Sequence, residues 1–347
     1  MNGRPSILQA IGTCVASLLA AASAQAGNIY TGDPSGSYHS AFCPVLAAEL
    51  GKAGLDYECR TTNGSLDNME RIATEPAAIG YGQLDVLALG ARYYGGPGAF
   101  VRIRADDVRE CLFAVTRNAD LASYGDLVAS ASRLRFVLPP VNSGSATTFR
   151  FLQAIDGELG AAAKVVHAAD TEEAIRIALS AEDTVAMFVQ FPDPDNARFK
   201  LIRQLGGRFV PVVDKIILDQ RLGDAQVYFP QQTQVANSGW LRGGAHVVTA
   251  CTPLVVFSGA SERIASERAR AAQVQAIEVI AKLPSDRLLP KQSLFARTMR
   301  RTRELTAESS ERLLALSAAA RARAAPLLDK AKSAAEKAVE AAKPTPD

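Results

Sequence analysis

The chain has 347 residues, 48% of them apolar and 21% charged, enough to bury a substantial core and too apolar for an intrinsically disordered segment. With 38 basic and 36 acidic residues the formal net charge is +2, which excludes a strongly cationic nucleic-acid binder. The charge is uneven: residues 297–347 carry 11 Lys/Arg against 7 Asp/Glu, so a mildly acidic body ends in a basic, Ala-rich tail.

Residues 1–26 have the form of a secretory signal peptide, with Arg4 in a short start, an apolar stretch from Ile7 to Ala22, and Ala24-Gln25-Ala26 as a cleavage site. The apolar stretch falls short of the ~20 residues that span a bilayer. Cleavage after Ala26 starts the mature chain at Gly27 and places it in a periplasm. Cys43, Cys59, Cys111 and Cys251 then remain, and an oxidising compartment permits two disulfides in any of three pairings. The preferred pairing joins Cys43 to Cys59, stapling the opening helix to the strand after it, and Cys111 to Cys251, joining strands from distant parts of the chain. No CxxC spacing occurs, and His39, His167 and His246 are scattered, so neither a metal nor a cofactor is expected.

From Gly27 short β-like runs alternate with amphipathic segments, the pattern of an α/β fold. A strand over 28–31 meets the loop Gly32-Asp33-Pro34-Ser35-Gly36, and a helix follows over 37–53 with Phe42, Val45, Leu46 and Leu50 on one side. Strand 57–61, the turn Asn63-Gly64-Ser65, helix 66–74 and strand 77–81 repeat the unit. After the Gly-rich loop at 95–98, a strand over 110–116 is placed to cross into a second lobe. There the unit recurs: strand 135–138, loop 139–145, helix 146–156, strand 165–167, helix 171–180 and strand 184–189 with an exit at Gln190-Phe191-Pro192. The apolar run 246–257 is long enough to return, and residues 262–283 form an amphipathic helix. The two crossings, near 110–116 and 244–250, make a two-strand hinge.

Beyond Pro290, residues 300–343 read as exposed helix broken near Pro326, because Ala, Lys, Glu and Arg favour helix. Such a tail is either a solvated appendage or a docking element for a partner or an anionic membrane surface. Its apolar positions are mostly Ala, which argues against insertion.

Three loops share one chemistry: Ser35-Gly36-Ser37, Asn63-Gly64-Ser65 and Ser143-Gly144-Ser145. Each stands where a β-like run hands over to a helix. Glycine lets the backbone come close, and the free N–H groups of a helix start attract anions. Each loop taken singly is also an ordinary cap or turn. If the three helix starts converge on one cleft, that cleft binds a small anion.

The same residues resemble the TAXI-type solute receptors of TRAP transporters. Gly32, Gly36 and Tyr38 are similar to that family's G-x-x-x-G-x-Y loop, and Thr62-Asn63-Gly64-Ser65-Leu66-Asp67-Asn68 to its T-x-G-S-x-x-N segment. Gln83-Leu84-Asp85-Val86, Ser143-Gly144-Ser145 and the stretch 187–194 resemble its later motifs, over roughly residues 28 to 285. Asp33-Pro34 stands where the family usually has more Gly, and Asp33 would repel an anion if it faced inward.

The resemblance implies a two-lobed α/β, type II periplasmic-binding-protein-like fold with a two-strand hinge, plus the C-terminal helical tail. Residues 27–113 and 247–297 would form lobe 1, residues 114–246 lobe 2 and residues 298–347 the tail. It implies an extracytoplasmic receptor that binds a small organic anion, glutamate-like or a dicarboxylate, and delivers it to a TRAP-type membrane permease, with no nucleic-acid partner. Membrane contact is expected only through a partner, or weakly through the tail.

Ser37 and Tyr38 are then expected to hydrogen-bond the ligand at the first helix start, and Asn63 and Ser65 at the second. Gln83 reads a polar end of the ligand, unless it is a surface amide at a strand exit. Ser143, Ser145 and Thr147 supply donors from lobe 2, and Gln190 with Phe191 closes the cleft. Arg150 is the nearest candidate for a carboxylate clamp, against its reading as an outward helix arginine.

Two other classes compete. A secreted enzyme is disfavoured, since no G-x-S-x-G elbow, nucleophile spacing or metal motif occurs. A periplasmic sensor or scaffold would keep the binding fold and signal to a membrane partner through the tail.

Overall fold

A computed structural model describes residues 27–34, 36–162, 164–237, 244–284, 303–304, 311–326 and 333. The signal segment 1–26, Ser35 and most of the tail 298–347 lie outside the described residues. No helix among the described residues is long and apolar enough to cross a membrane.

The chain opens with β1 (Gly27–Gly32), then a π-helical turn over Tyr38–Phe42 that runs into α1 (Cys43–Lys52). β2 (Tyr57–Thr61), α2 (Ser65–Thr74) and β3 (Ile79–Gln83) complete two parallel β-helix-β units, with β1 between β2 and β3. Met69 and Ile72 bury the inner face of α2, and Asn68 on the same face donates to the Tyr81 carbonyl at 2.8 Å. α3 (Leu84–Tyr93) follows β3 without a loop, and residues 84 to 91 of it are all buried.

β4 (Phe100–Thr116) is a long strand, starting ten residues earlier than the apolar pattern suggests. Its early part runs through Arg102, Arg104, Arg109 and Glu110, whose charges hide the strand from a hydrophobicity reading. The second half of the chain continues with α4 (Tyr124–Ala129), β5 (Arg135–Leu138), α5 (Gly144–Ile155), α6 (Gly157–Gly160), β6 (Lys164–His167), α7 (Thr171–Ala178) and β7 (Thr184–Gln190). After it come α8 (Ala197–Gln204), β8 (Arg208–Val210), α9 (Lys215–Leu218), the small hairpin of β9 (Arg221–Leu222) and β10 (Ala225–Gln226), and β11 (Phe229–Gln234). β12 (His246–Gly259) and α10 (Glu267–Lys282) close the body, and β13 (Arg303–Glu304) adds a short edge to β11.

The strand order β2-β1-β3-β12-β4 in the first lobe is matched by β6-β5-β7-β4-β8 in the second. Each lobe thus receives one long strand that also serves the other. β4 pairs with β12 from Phe100 to Glu110 and with β7 from Cys111 to Val115. β12 pairs with β11 from His246 to Cys251 and with β4 from Thr252 onward. The handover between lobes therefore falls at Glu110–Cys111 and at Cys251–Thr252. The second crossing lies just beyond the expected 244–250, because that segment is still held by β11.

Both disulfides form as the preferred pairing had them: Cys43–Cys59 ties α1 to β2, and Cys111–Cys251 joins β4 to β12 at the handover. The tail departs from the exposed helix expected of it. A helix over residues 311–326 lies against the second lobe with Ser317 and Ala320 buried. Arg321 enters a carboxylate pocket there, 2.6 Å from Asp156 and 3.1 Å from both Glu158 and Asp214.

Candidate ligand-binding site

Where the helix starts of the two lobes face one another, a cavity of about 560 Å³ opens between them, within the usual size of small-molecule sites. All three Gly/Ser loops reach it: Gly36 and Ser37, Asn63 to Ser65, and Ser143 to Ser145 line its wall. The starts of α7 and α8 contribute Asp170 to Glu172 and Asn196 to Arg198. The expectation that helix starts from separate halves meet around one space is met for the described residues.

Glycine is required at the contact between lobes. Gly64 has φ +135°, a conformation that side chains avoid, and a Cβ there would lie 2.9 Å from the Asn142 carbonyl and 3.1 Å from Ser143 Cα. Gly144 rests on the Gln83 amide, where a Cβ would come within 2.5 Å. Phe191 packs against Tyr38 with ring centroids 6.2 Å apart, so an aromatic contact also bridges the lobes.

The cavity floor is a hydrogen-bonded chain. Ser65 Oγ donates to Gln83 Oε1 at 2.7 Å, Gln83 is hydrogen-bonded to the Glu110 carboxyl, and Tyr38 donates its hydroxyl to Glu110 Oε2 at 2.6 Å. Glu110 sits at the strand handover and is 8% exposed. Burial pushes its pKa up to about 7, against the downward pull of its bonds to Tyr38 and Gln83. Burial, together with the Glu110 charge, pushes the Tyr38 hydroxyl well above its ordinary value, so it stays a donor. Behind the floor, fully buried Asp85 accepts hydrogen bonds from Thr148 on α5 and from Tyr228, and burial raises its pKa against them.

On the opposite wall Arg198 donates to Gln190 Oε1 at 3.2 Å. Burial lowers the Arg198 pKa, while Glu172, Asp170, Asp33 and Glu110 oppose that shift. Gln190 is 5% exposed and its Nε2 has no hydrogen-bond partner.

Of the residues singled out from the sequence, Ser37, Tyr38, Asn63, Ser65, Gln83, Ser143, Ser145, Gln190 and Phe191 line the cavity; Thr147 and Arg150 do not. Thr147 is fully buried, gives its hydroxyl to the Ser143 carbonyl at 3.0 Å, and accepts from Arg150. Arg150 also reaches the Val141 carbonyl at 3.0 Å, so it braces the loop before α5 instead of clamping a carboxylate.

Several lining groups are already engaged within the protein. The protons of Ser65 and Tyr38 go to Gln83 and Glu110, and the Asn63 amide goes to Asp67. Ser143 caps α5 by accepting from Ala146 N at 3.2 Å, and Ser145 accepts from Val189 N at 2.9 Å, tying α5 to β7. Sequence reasoning missed Glu110, Asp170, Glu172, Asp193 and Arg198. The signals were slight: a carboxylate at the head of an apolar strand, and a cationic residue two positions after the cap Asn196.

Two lobes that share crossing strands and enclose a polar cavity define a two-lobed, type II periplasmic-binding-protein-like α/β fold. No family model matches the chain and no curated protein is similar to it. Similar solved structures include PhnD1 from Prochlorococcus marinus in complex with methylphosphonate, at 12% identity over 83% of this chain and 95% of that one, TM-score 0.46. The GluR0 ligand-binding core with L-glutamate is similar at 13% identity over 80% and 98%, TM-score 0.43. XAC2383 from Xanthomonas citri bound to ATP is similar at 10% identity over 87% and 98%, TM-score 0.45. Each is a resemblance of overall outline at low identity.

Proposed function

We propose that this protein is an extracytoplasmic solute receptor that closes two lobes around a small polar organic molecule and delivers it to a membrane transporter of the TRAP type. In this reading the described residues of 27–110 and 252–284 form one jaw and those of 111–251 the other. The observation that carries it is the convergence of five helix starts, drawn from both halves of the chain, on one cavity between crossing strands. A leader with the form of a signal peptide and two disulfides support a periplasmic location. The family resemblance implies a glutamate-like or dicarboxylate guest. Signalling through the tail is the weaker reading, since the described tail helix spends Ser317 and Arg321 on the second lobe.

Thermal-shift screening of the mature chain against amino acids, dicarboxylates, oxoacids, inorganic anions and amines tests the receptor reading, because a native-state binder raises the melting temperature by mass action. A binder is expected whose effect is weakened by Ser143→Ala and by Gln190→Ala, each by about 0.5–1.5 kcal/mol, the net worth of one neutral hydrogen bond. A binder that both variants hold as well as the parent overturns the site; the absence of any binder overturns the function.

A further inference from the structure

We infer that the guest of the interlobe cavity is an organic cation that also carries a hydrogen-bond acceptor, an inference that rests on the receptor reading above. Five acidic residues line the cavity, Asp33, Glu110, Asp170, Glu172 and Asp193, and Arg198 is the single basic residue among the described residues of the lining. Asp33, the residue expected to repel an anion if it faced inward, is on the wall.

Arg198 does not offset this excess. Its guanidinium is hydrogen-bonded to Gln190 Oε1 and lies in the field of four of the five carboxyls. The helix starts pull the other way, but each terminus is worth only about 0.3–1 kcal/mol to an anion and fades within a turn. At the starts of α7 and α8 one free N–H is already taken, by Asp170 accepting from Glu173 N and by Asn196 accepting from Arg198 N. The carboxyls of Asp33, Asp170, Glu172 and Asp193, with Glu110 still partly protonated near neutral pH, outnumber the one guanidinium, and a cleft lined by one sign of charge concentrates the opposite sign.

Two further features give the guest its chemistry. The Gln190 amide, nearly wholly buried on the cavity wall, has an unused donor at Nε2, which asks for an acceptor on the guest. Tyr38 on the floor and Phe191 next to Gln190 bring aromatic rings to the cavity, surfaces that favour ammonium and guanidinium groups. Among the described residues no three His, Cys, Asp or Glu side chains stand together as metal ligands.

The test is calorimetric titration of the mature chain with ethanolamine, choline, L-lysine and L-arginine, each a cation that carries a hydroxyl or carboxylate acceptor, and in parallel with succinate, citrate and L-glutamate. At least one of the cations is expected to bind with unit stoichiometry and to weaken as salt is added. The pair Asp170→Asn with Glu172→Gln, in which Asn keeps the α7 cap, is expected to weaken that binding about tenfold or more. Glu278→Gln on the outer face of α10 is the control and should leave it unchanged.

Binding of anions without any cation overturns the inference and leaves the receptor reading standing. Cation binding that the double variant does not weaken also overturns it. If neither set binds, the inference fails, and the receptor reading is decided by the wider thermal-shift screen.

Discussion

Glu110 is one carboxyl in a buried position between a tyrosine hydroxyl and an amide, and its consequence for stability has a definite sign. Its ordinary value is 4.5 and burial lifts it to about 7, so between those limits the folded chain keeps a proton that the unfolded chain releases. Stability therefore falls as pH rises through that window, by an amount on the order of 3 kcal/mol once pH exceeds the upper limit. Glu110→Gln keeps an acceptor for Tyr38 and removes the titration. Its melting temperature relative to the parent should rise progressively between about pH 5 and about pH 8; a difference that stays flat with pH sinks the assignment. Gly64 gives a second residue-scale expectation. Gly64→Ala places a side chain at φ +135° and against the loop of the other lobe, so it should cost about 1–3 kcal/mol and blunt the ligand-induced shift in melting temperature. These residues show how unevenly a sequence reports its site. The Gly/Ser loops were legible because a tight turn before a helix leaves a local signature. Glu110, Asp170 and Glu172 were not, because nothing nearby in sequence says which carboxylates a distant lobe will enclose.

At the scale of elements, the tail helix makes the strongest energetic claim. Arg321 holds Asp156 and Asp214, whose side chains are 1% and 9% exposed, so removing its charge leaves two carboxylates buried without a cation. Arg321→Ala should destabilise the protein by about 3–5 kcal/mol. Adding Asp156→Asn, which keeps the cap of α6, should recover part of the loss; no recovery in chemical denaturation would mean the cost is lost packing instead of stranded charge. The repeated β-helix-β units and the two disulfides were readable, since they follow from local periodicity and from the compartment, while the pairing was a preference among three. α3 was not: buried from residue 84 to residue 91, it lacks the polar face that gives a helix its period. The docking of residues 311–326 escaped for the opposite reason. Its composition is that of a solvent-exposed helix, and only the tertiary pocket of three acids distinguishes Arg321 from the arginines around it.

For the molecule as a whole, the crossing strands decide what is separable. β12 lies between β3 and β4, yet it enters only after the entire second lobe has been laid down. A fragment ending at residue 237 would leave β3 and β4 without the strand between them, and is expected to be insoluble unless residues 244–284 are supplied in trans; solubility on co-expression measures this. Replacing Cys111 and Cys251 together by Ser should cost about 2–4 kcal/mol, read as a lowered melting temperature. That bond also sits like a rivet where the two blades of a pair of shears cross. Any turning of one jaw against the other then sweeps the rim widely while the metal beside the rivet scarcely travels. Glu110 is the residue beside it, so in the proposed receptor its carboxyl would keep its place relative to both jaws as the mouth opens and shuts.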